Sequence, residues 1–232
     1  MNRGASTMTK VQSIQEAVQH IKSGSSLMVG GFGGIGNPPT VIKAILESGI
    51  DELTLICNDA GFPHIGIGQL ITKGRAKKLV ASHIGSNPNA GKLMHEKKLD
   101  VEFSPQGTLV ERIRAGGVGL GGILVDIGVD GLVAEGKEKV GVNGRTFLIE
   151  PPITADVAIV YAKKADTFGN LVFDKSARNT NPLMAMAGTV TIAEAEEIVP
   201  VGGLDPEEVV TPGAFVDMVV KSEGVNWAWA WE

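Results

Sequence analysis

Residues 29–39 read Val-Gly-Gly-Phe-Gly-Gly-Ile-Gly-Asn-Pro-Pro, so Gly30, Gly31, Gly33, Gly34 and Gly36 crowd into one short stretch. Glycine in an ordered segment costs conformational entropy, so something here must approach the backbone closely. An apolar run precedes the glycines and a helical pattern follows the prolines. A strand, a glycine loop and a helix make a place where backbone N–H groups and a helix N-terminus can meet an anion. Gly31, Gly33 and Gly36 fit G-x-G-x-x-G, and Asp59 stands at the end of the next strand, the spacing of an NAD-type dinucleotide site. Pro38 and Pro39 oppose that reading, because each removes a donor N–H where the motif would begin its helix. A phosphate or a thioester fits these glycines better than a pyrophosphate. A tight turn with close strand–helix packing accounts for them with no ligand.

Other reactive side chains are sparse. His20, His64, His83 and His95 lack the spacing of metal ligands, so no metal site is expected. His64, on a loop, is the one histidine expected near the glycines. Cys57 is the lone cysteine and ends an apolar run, which reads as a buried structural thiol in a reducing cytoplasm. Glu111, Arg112 and Arg114 read as the solvated or interface face of a helix. Arg178 suits either a carboxylate or phosphate contact or an interface ion pair. Trp227, Trp229 and Trp231 alternate near the end, a pattern that as a strand places three large rings on one face for docking to a neighbouring subunit.

These residues need a frame. The 232 residues suffice for one large α/β domain, and a 43% apolar, 20% charged composition is that of an ordinary globular core. A net charge of −5 and no basic run interleaved with aromatics argue against nucleic acid. No apolar stretch approaches the ~20 residues of a membrane span, and residues 1–10 lack a signal-peptide core, so an intracellular protein without a membrane partner is expected. Met8 offers a second start that would leave residues 1–7 as an extension. Thr9 and Gln12 have capping-box spacing ahead of a helix through Ile21, ended by Gly24. Strands are expected at 26–29, 53–57, 77–82 and 101–103, and helices after Pro39, at 91–99 and at 109–115. The stretch 116–131 reads as loops wrapping an edge. Asn143-Gly144 is a type I′ hairpin turn, with later strands at 155–162, 170–173, 189–195 and 215–220 and a short helix at 181–188. The alternation predicts a single α/β domain over 1–232 with an open, mostly parallel sheet and a β-hairpin excursion.

Ser23–Pro38 resembles the N-terminal signature of family I CoA-transferases, a short apolar strand running into Gly-Gly-Phe and then Gly-x-Pro. Leu27–Val29, Gly30, Gly31, Phe32, Gly36 and Pro38 carry the match. It departs at Ser23, where the signature prefers Asp or Asn. Residues 53–71, 104–122 and 168–182 are similar to the A subunit of this family, and the resemblance extends from about Thr9 to Val220. The Asn-Asp-Ala-Gly-Phe run from Asn58 looks closest to the bacterial acetate/butyrate–acetoacetate enzymes. The resemblance implies the CoA-transferase superfamily fold and a ping-pong transfer of CoA from acyl-CoA to a short-chain carboxylate, with coenzyme A as substrate and no permanently bound cofactor. It implies a B-subunit partner in an A₂B₂ assembly, with the nucleophilic glutamate in a Ser-Glu-Asn-Gly motif on that partner. Here Ser222-Glu223-Gly224 lacks the Asn, and Glu223 reads as a solvated tail carboxylate with no buried strand before it. Within that chemistry Gln106, between a strand end and a helix start, is the candidate oxyanion donor, or else a helix cap. Asn58 matches a pocket position, or makes an Asx turn. The loop Gly30, Gly31, Phe32, Gly33, Gly34, Ile35 and Gly36 is expected to admit the CoA arm. A nicotinamide-dependent oxidoreductase and a non-catalytic CoA-sensing subunit are the alternatives.

Overall fold

The computed structural model describes residues 9–229, so residues 1–8 and Trp231 lie outside the described residues. The chain alternates β1 (Ser26–Val29), β2 (Leu53–Ile56), β3 (Ala76–Ala81) and β4 (Asp100–Phe103) with α2 (Pro39–Ser48), α3 (Gly68–Thr72) and α4 (Pro88–His95), after α1 (Ile14–Val18). α5 (Gln106–Gly117) leaves β4 for the opposite face. A small sheet follows, built from β5 (Ile123–Val125), β6 (Lys139–Val142) and β7 (Arg145–Glu150). β8 (Ala155–Asp166), β9 (Leu171–Val172), α6 (Asn181–Ala187), β10 (Gly188–Val199) and β11 (Met218–Lys221) complete the fold.

The main sheet runs β11-β10-β8-β1-β2-β3-β4, parallel throughout, with β9 antiparallel on β8. The expected open, mostly parallel sheet is what forms. Both faces are covered, so the strands are apolar on both sides. Leu27, Val29, Leu55 and Leu79 face Val41, Ile42, Ile45, Leu70 and Ile71 of α2 and α3. Met28, Ile56 and Val80 face Leu109 and Ile113 of α5 and Met184 of α6. Strand order reverses between β1 and β8, so the chain's switch point lies beside the glycine loop, at the strands' carboxyl ends where such folds bind ligands.

Local chemistry explains the elements. α2 starts with Pro39 in its first turn and stops at Gly49, whose φ of 76° is the left-handed C-cap. Asn143 and Gly144 have φ of 50° and 74°, the type I′ turn that sequence predicted between β6 and β7. Four expectations need correction. The first helix is capped by Ser13, whose side chain and that of Glu16 form the capping box; Thr9 instead accepts from Val11 N. α3 was not foreseen. The 116–131 stretch contains β5, which pairs with β7. Arg112 is buried: it ion-pairs Glu102 at 3.1 Å and lies 3.7 Å from Glu150, which also takes Lys137 at 2.6 Å. That cluster fastens the small sheet to the main one.

Candidate active site

Gly30 N donates to Ile159 O on β8 at 3.0 Å, and the chain then doubles back. Phe32 and Ile35 exchange both backbone hydrogen bonds at 2.9 Å. Between them Gly33 (φ 57°) and Gly34 (φ 98°) both take the left-handed region this two-residue turn requires. A β-carbon at Gly30 would collide with the amide of Asn181, at Gly31 with that of Asn37, at Gly34 with Ile65 and at Gly36 with the Ala177 carbonyl. Gly33 alone of the five has room, its nearest neighbour being Phe62 Cε2 at 3.8 Å. The chain's own packing therefore demands four of the glycines. The space expected for a CoA arm narrows to the flank of Gly33.

Three asparagines seat the loop. Asn37 donates to Gly30 O at 2.6 Å and accepts from Ile67 N at 2.9 Å. Asn181 donates to Gly36 O at 3.0 Å and accepts from Tyr161 N at 3.0 Å. Asn179 donates to Ile35 O at 3.0 Å. Arg178, beside them, is exposed and forms no ion pair among the described residues.

Next to the loop lies a cleft of about 310 Å³, bounded by Phe32, Gly33, Phe62, Ser82, His83 and Gln106. Gln106 opens α5 and makes no capping bond there. Its Nε2 donates instead to Asn58 Oδ1 at 2.8 Å. Asn58 is buried, and its Nδ2 donates to Asp59 Oδ2 at 2.7 Å. Asp59 accepts also from Gly33 N at 2.9 Å and, through Oδ1, from Gly61 N at 2.8 Å. The side-chain turn before Gly61 thus belongs to Asp59 and not to Asn58. Ser82 and Ser86 spend their hydroxyls on Asn58 O and Gly61 O. Cys57 is buried; loss of hydration pushes its thiol well above the ordinary range, with the nearby Asp59 charge adding to the effect. It is a structural thiol.

The N-terminus of α2 cannot cradle a pyrophosphate. Its free amides, Thr40 N and Val41 N, donate to the buried carboxylate of Glu194 on β10 at 2.8 and 3.1 Å. Asp59, the residue a dinucleotide site would use on a ribose, is buried and committed to three hydrogen bonds. Both halves of the nicotinamide reading are lost.

The family model for Coenzyme A transferase matches residues 11–222. The chain belongs to the Coenzyme A transferase family. It is 62% identical over 96% of its length to the probable coenzyme A transferase subunit alpha of Bacillus subtilis, covering 98% of that protein. It is 48% identical to the acetate CoA-transferase subunit alpha of Escherichia coli K12, over 93% of this chain and 98% of that one. It is 44% identical to the acetoacetyl-CoA:acetate/butyrate CoA transferase alpha subunit of Clostridium acetobutylicum, over 92% and 98%. An acyl-CoA transferase of Escherichia coli O157:H7, solved as a thioester complex with CoA, superposes with a TM-score of 0.83 at 26% identity. That match covers 92% of this chain but spans about half, 47%, of the longer solved one. This protein is a CoA-transferase subunit of the alpha type.

In this CoA-transferase chain the structure brings Gln106, Asn58, Phe32 and Gly33 to one cleft. Gly30, Gly31, Gly34, Ile35 and Gly36 form the loop behind it. His83 borders the cleft, whereas His64, the histidine expected there, borders a neighbouring groove. The His83 imidazole lies over Gly85, where a β-carbon would meet the ring at 2.8 Å. Glu223 lies two residues past the buried strand β11, contrary to expectation, yet its carboxylate is exposed and pairs with Lys43 at 2.9 Å, away from the cleft. Among the described residues no group of His, Cys, Asp and Glu is placed to hold a metal. No helix among them is long and apolar enough to cross a membrane. Sequence reasoning offered Asp59 only as the ribose acid of a dinucleotide site, and it missed Phe62, Ser82 and His83. The available signal was position: all stand just past the ends of β2 and β3, in line with the glycine loop after β1.

Proposed function

We propose that this chain is the A subunit of a short-chain acyl-CoA:carboxylate CoA-transferase acting on acetate, butyrate or acetoacetate, paired with a B subunit as an A₂B₂ heterotetramer in the cytoplasm. One observation carries the division of labour. The cleft presents an oriented amide, Gln106, but its one carboxylate, Asp59, is buried and engaged by three donors. A nucleophile must arrive from outside, and the partner's glutamate fills that need.

In this reading the glutamate carboxylate attacks the acyl-CoA carbonyl, forming a mixed anhydride and expelling CoA thiolate. The thiolate then attacks the glutamyl carbonyl of the anhydride, releasing the first carboxylate and leaving a glutamyl thioester. A second carboxylate runs the steps in reverse. Each attack places negative charge on a carbonyl oxygen. An N–H of Gln106, held before the charge appears, stabilises it at no reorganisation cost; such a donor contributes about 3–4 kcal/mol. Phe32 and Phe62 wall the cleft against water, which would hydrolyse the thioester. Gly33 leaves the pantetheine arm its passage.

Co-expression with a B subunit, followed by assay of acetyl-CoA against a panel of carboxylates, tests the proposal. Parallel-line, ping-pong kinetics with butyrate or acetoacetate are expected, from a complex whose mass by light scattering corresponds to two copies of each chain. A stable complex that transfers CoA to none of these acids overturns it.

A further inference from the structure

We propose that Asp59 is a positioning residue that dictates which face of the Gln106 amide meets the substrate. The inference rests on Gln106 being the oxyanion donor. An amide side chain is nearly symmetric in shape, and its NH₂ and C=O ends differ only in what they can bond. A carboxylate is not symmetric in that sense: it only accepts. Asp59 is buried against the end of β2, with Oδ1 on Gly61 N and Oδ2 on Gly33 N. With both oxygens accepting from backbone donors, Asn58 must turn its NH₂ towards Oδ2, at 2.7 Å. That leaves Asn58 Oδ1 facing Gln106, and an oxygen there admits only the NH₂ end of Gln106, at 2.8 Å. One N–H of Gln106 is thereby consumed and the second is presented from the rim of the cleft. Polarity passes from carboxylate to amide to amide over two side-chain bonds. Reversing Asn58 would set two oxygens against each other in a buried position, and reversing Gln106 would set its oxygen against Asn58 Oδ1 at the rim.

The same carboxylate fastens Gly33, the loop residue with room beside it, so the passage for the arm and the direction of the donor are set by one group. Asp59→Asn removes the dictation. An asparagine at 59 can offer either end, Asn58 can turn, and Gln106 loses its enforced orientation without losing its presence.

The test is a double-mutant cycle in the assembled enzyme, using Asp59→Asn, Gln106→Ala and both together. Asp59→Asn is expected to lower kcat about 10–100-fold with the KM for acyl-CoA changed less than about threefold. In the Gln106→Ala background it should cost less than about threefold more. Additive losses would make Asp59 a merely structural residue and overturn the inference. A normal kcat for Asp59→Asn overturns it as well. Undiminished turnover in Gln106→Ala alone fails the donor assignment itself, which is a different result from additivity. The swap Asn58→Asp/Asp59→Asn supplies rescue: an acceptor-only group now faces Gln106 directly, and kcat should recover at least tenfold of what Asp59→Asn loses, whereas no recovery counts against the relay. If Asp59→Asn fails to fold, Asn58→Ala breaks the relay without touching Gly33 or Gly61, and the cycle is read with it by the same criteria.

Discussion

Gln106, the first residue of α5, donates its side-chain amide to Asn58 at the end of β2, 2.8 Å away, and not to the helix it opens. That single bond separates two roles open to a glutamine at a helix start. A capping glutamine turns back to its own backbone; this one is tied across the sheet to the rim of the cleft. Gln106→Ala should lower kcat about 10²–10³-fold while the melting temperature and the mass of the assembly stay unchanged. A loss below about threefold, measured by steady-state transfer from acetyl-CoA, would return Gln106 to a structural role.

The loop makes a sharper prediction than its glycine content suggests. Gly34→Val drives a side chain into Ile65 at a backbone angle of 98°, so it should fail by misfolding and says nothing about CoA. Gly33 is the informative site. Asparagine tolerates the left-handed region, so Gly33→Asn should fold with unchanged circular dichroism while filling space beside Phe62. The expected result is a rise of about tenfold or more in the KM for acyl-CoA, with the KM for the free acid little changed, since about 1.4 kcal/mol of lost binding is tenfold. Equal effects on both substrates would place the arm elsewhere.

How much of this was readable beforehand depended on the range of the interaction. Gly-Pro punctuation set α2, Asn143-Gly144 set the hairpin, and apolar runs set β1, β2 and β8, because each signal and its consequence share a few residues. The cleft's supports did not share that advantage. Asn181 reaches Gly36 across 145 positions and Glu194 reaches Thr40 across 154, and nothing local marks either as a partner. α3 hid behind glycines, which depress helical expectation even where tertiary packing overrides it. Arg112 was misread because helical period says which residues share a face, not whether that face meets water.

Glu194 gives the fold a pH dependence of definite sign. It is buried on β10 and accepts from Thr40 N, Thr40 Oγ1, Val41 N and Ser222 Oγ. Burial outweighs these bonds and raises its carboxyl above the ordinary range, while Ser222 and Thr40 pull it part of the way back. A raised folded-state value means the folded chain binds this proton more tightly than the unfolded chain. The stability it contributes is full below the unfolded value and is lost as pH rises through the folded one. Glu194→Gln cannot ionise and should lack this component. Urea midpoints from about pH 4 to about pH 8 should show the stability of the parent falling relative to the variant as pH rises. A parent that gains stability relative to the variant as pH rises contradicts the assignment.

The tryptophans near the C-terminus do not stand out as a free strip. Residues 225–229 form no strand, and Trp227 and Trp229 lie along Phe62–Ile65 of their own chain, with Trp229 within 3.5 Å of where a Gly34 β-carbon would sit. The indole N–H of Trp227 is buried with no hydrogen-bond partner among the described residues. An unsatisfied donor costs roughly 1–3 kcal/mol, which offsets part of what the tail's contacts contribute. Deleting residues 225–232 should lower the melting temperature by no more than about 2–4 °C and leave the mass of the assembly unchanged in light scattering. Dissociation of the complex would show instead that the rings belong to a subunit contact.

The last prediction concerns what the isolated chain cannot do. Transfer by a glutamyl thioester needs a carboxylate free to attack. Asp59 is buried and engaged by three hydrogen bonds, and Glu223 is exposed outside the cleft and paired with Lys43. The purified chain incubated with acetyl-CoA should therefore form no covalent CoA adduct by intact-mass spectrometry. Mixed with its B partner it should yield an adduct that maps to the partner's glutamate, and borohydride, which reduces such a thioester, should inactivate the complex. Glu223→Gln should leave turnover unchanged, and Lys43→Ala likewise, because an exposed, solvent-screened ion pair outside the cleft contributes little. Turnover by the isolated chain, or CoA found on Asp59 or Glu223, would show that the nucleophile is in this chain after all and that the division between subunits is wrong.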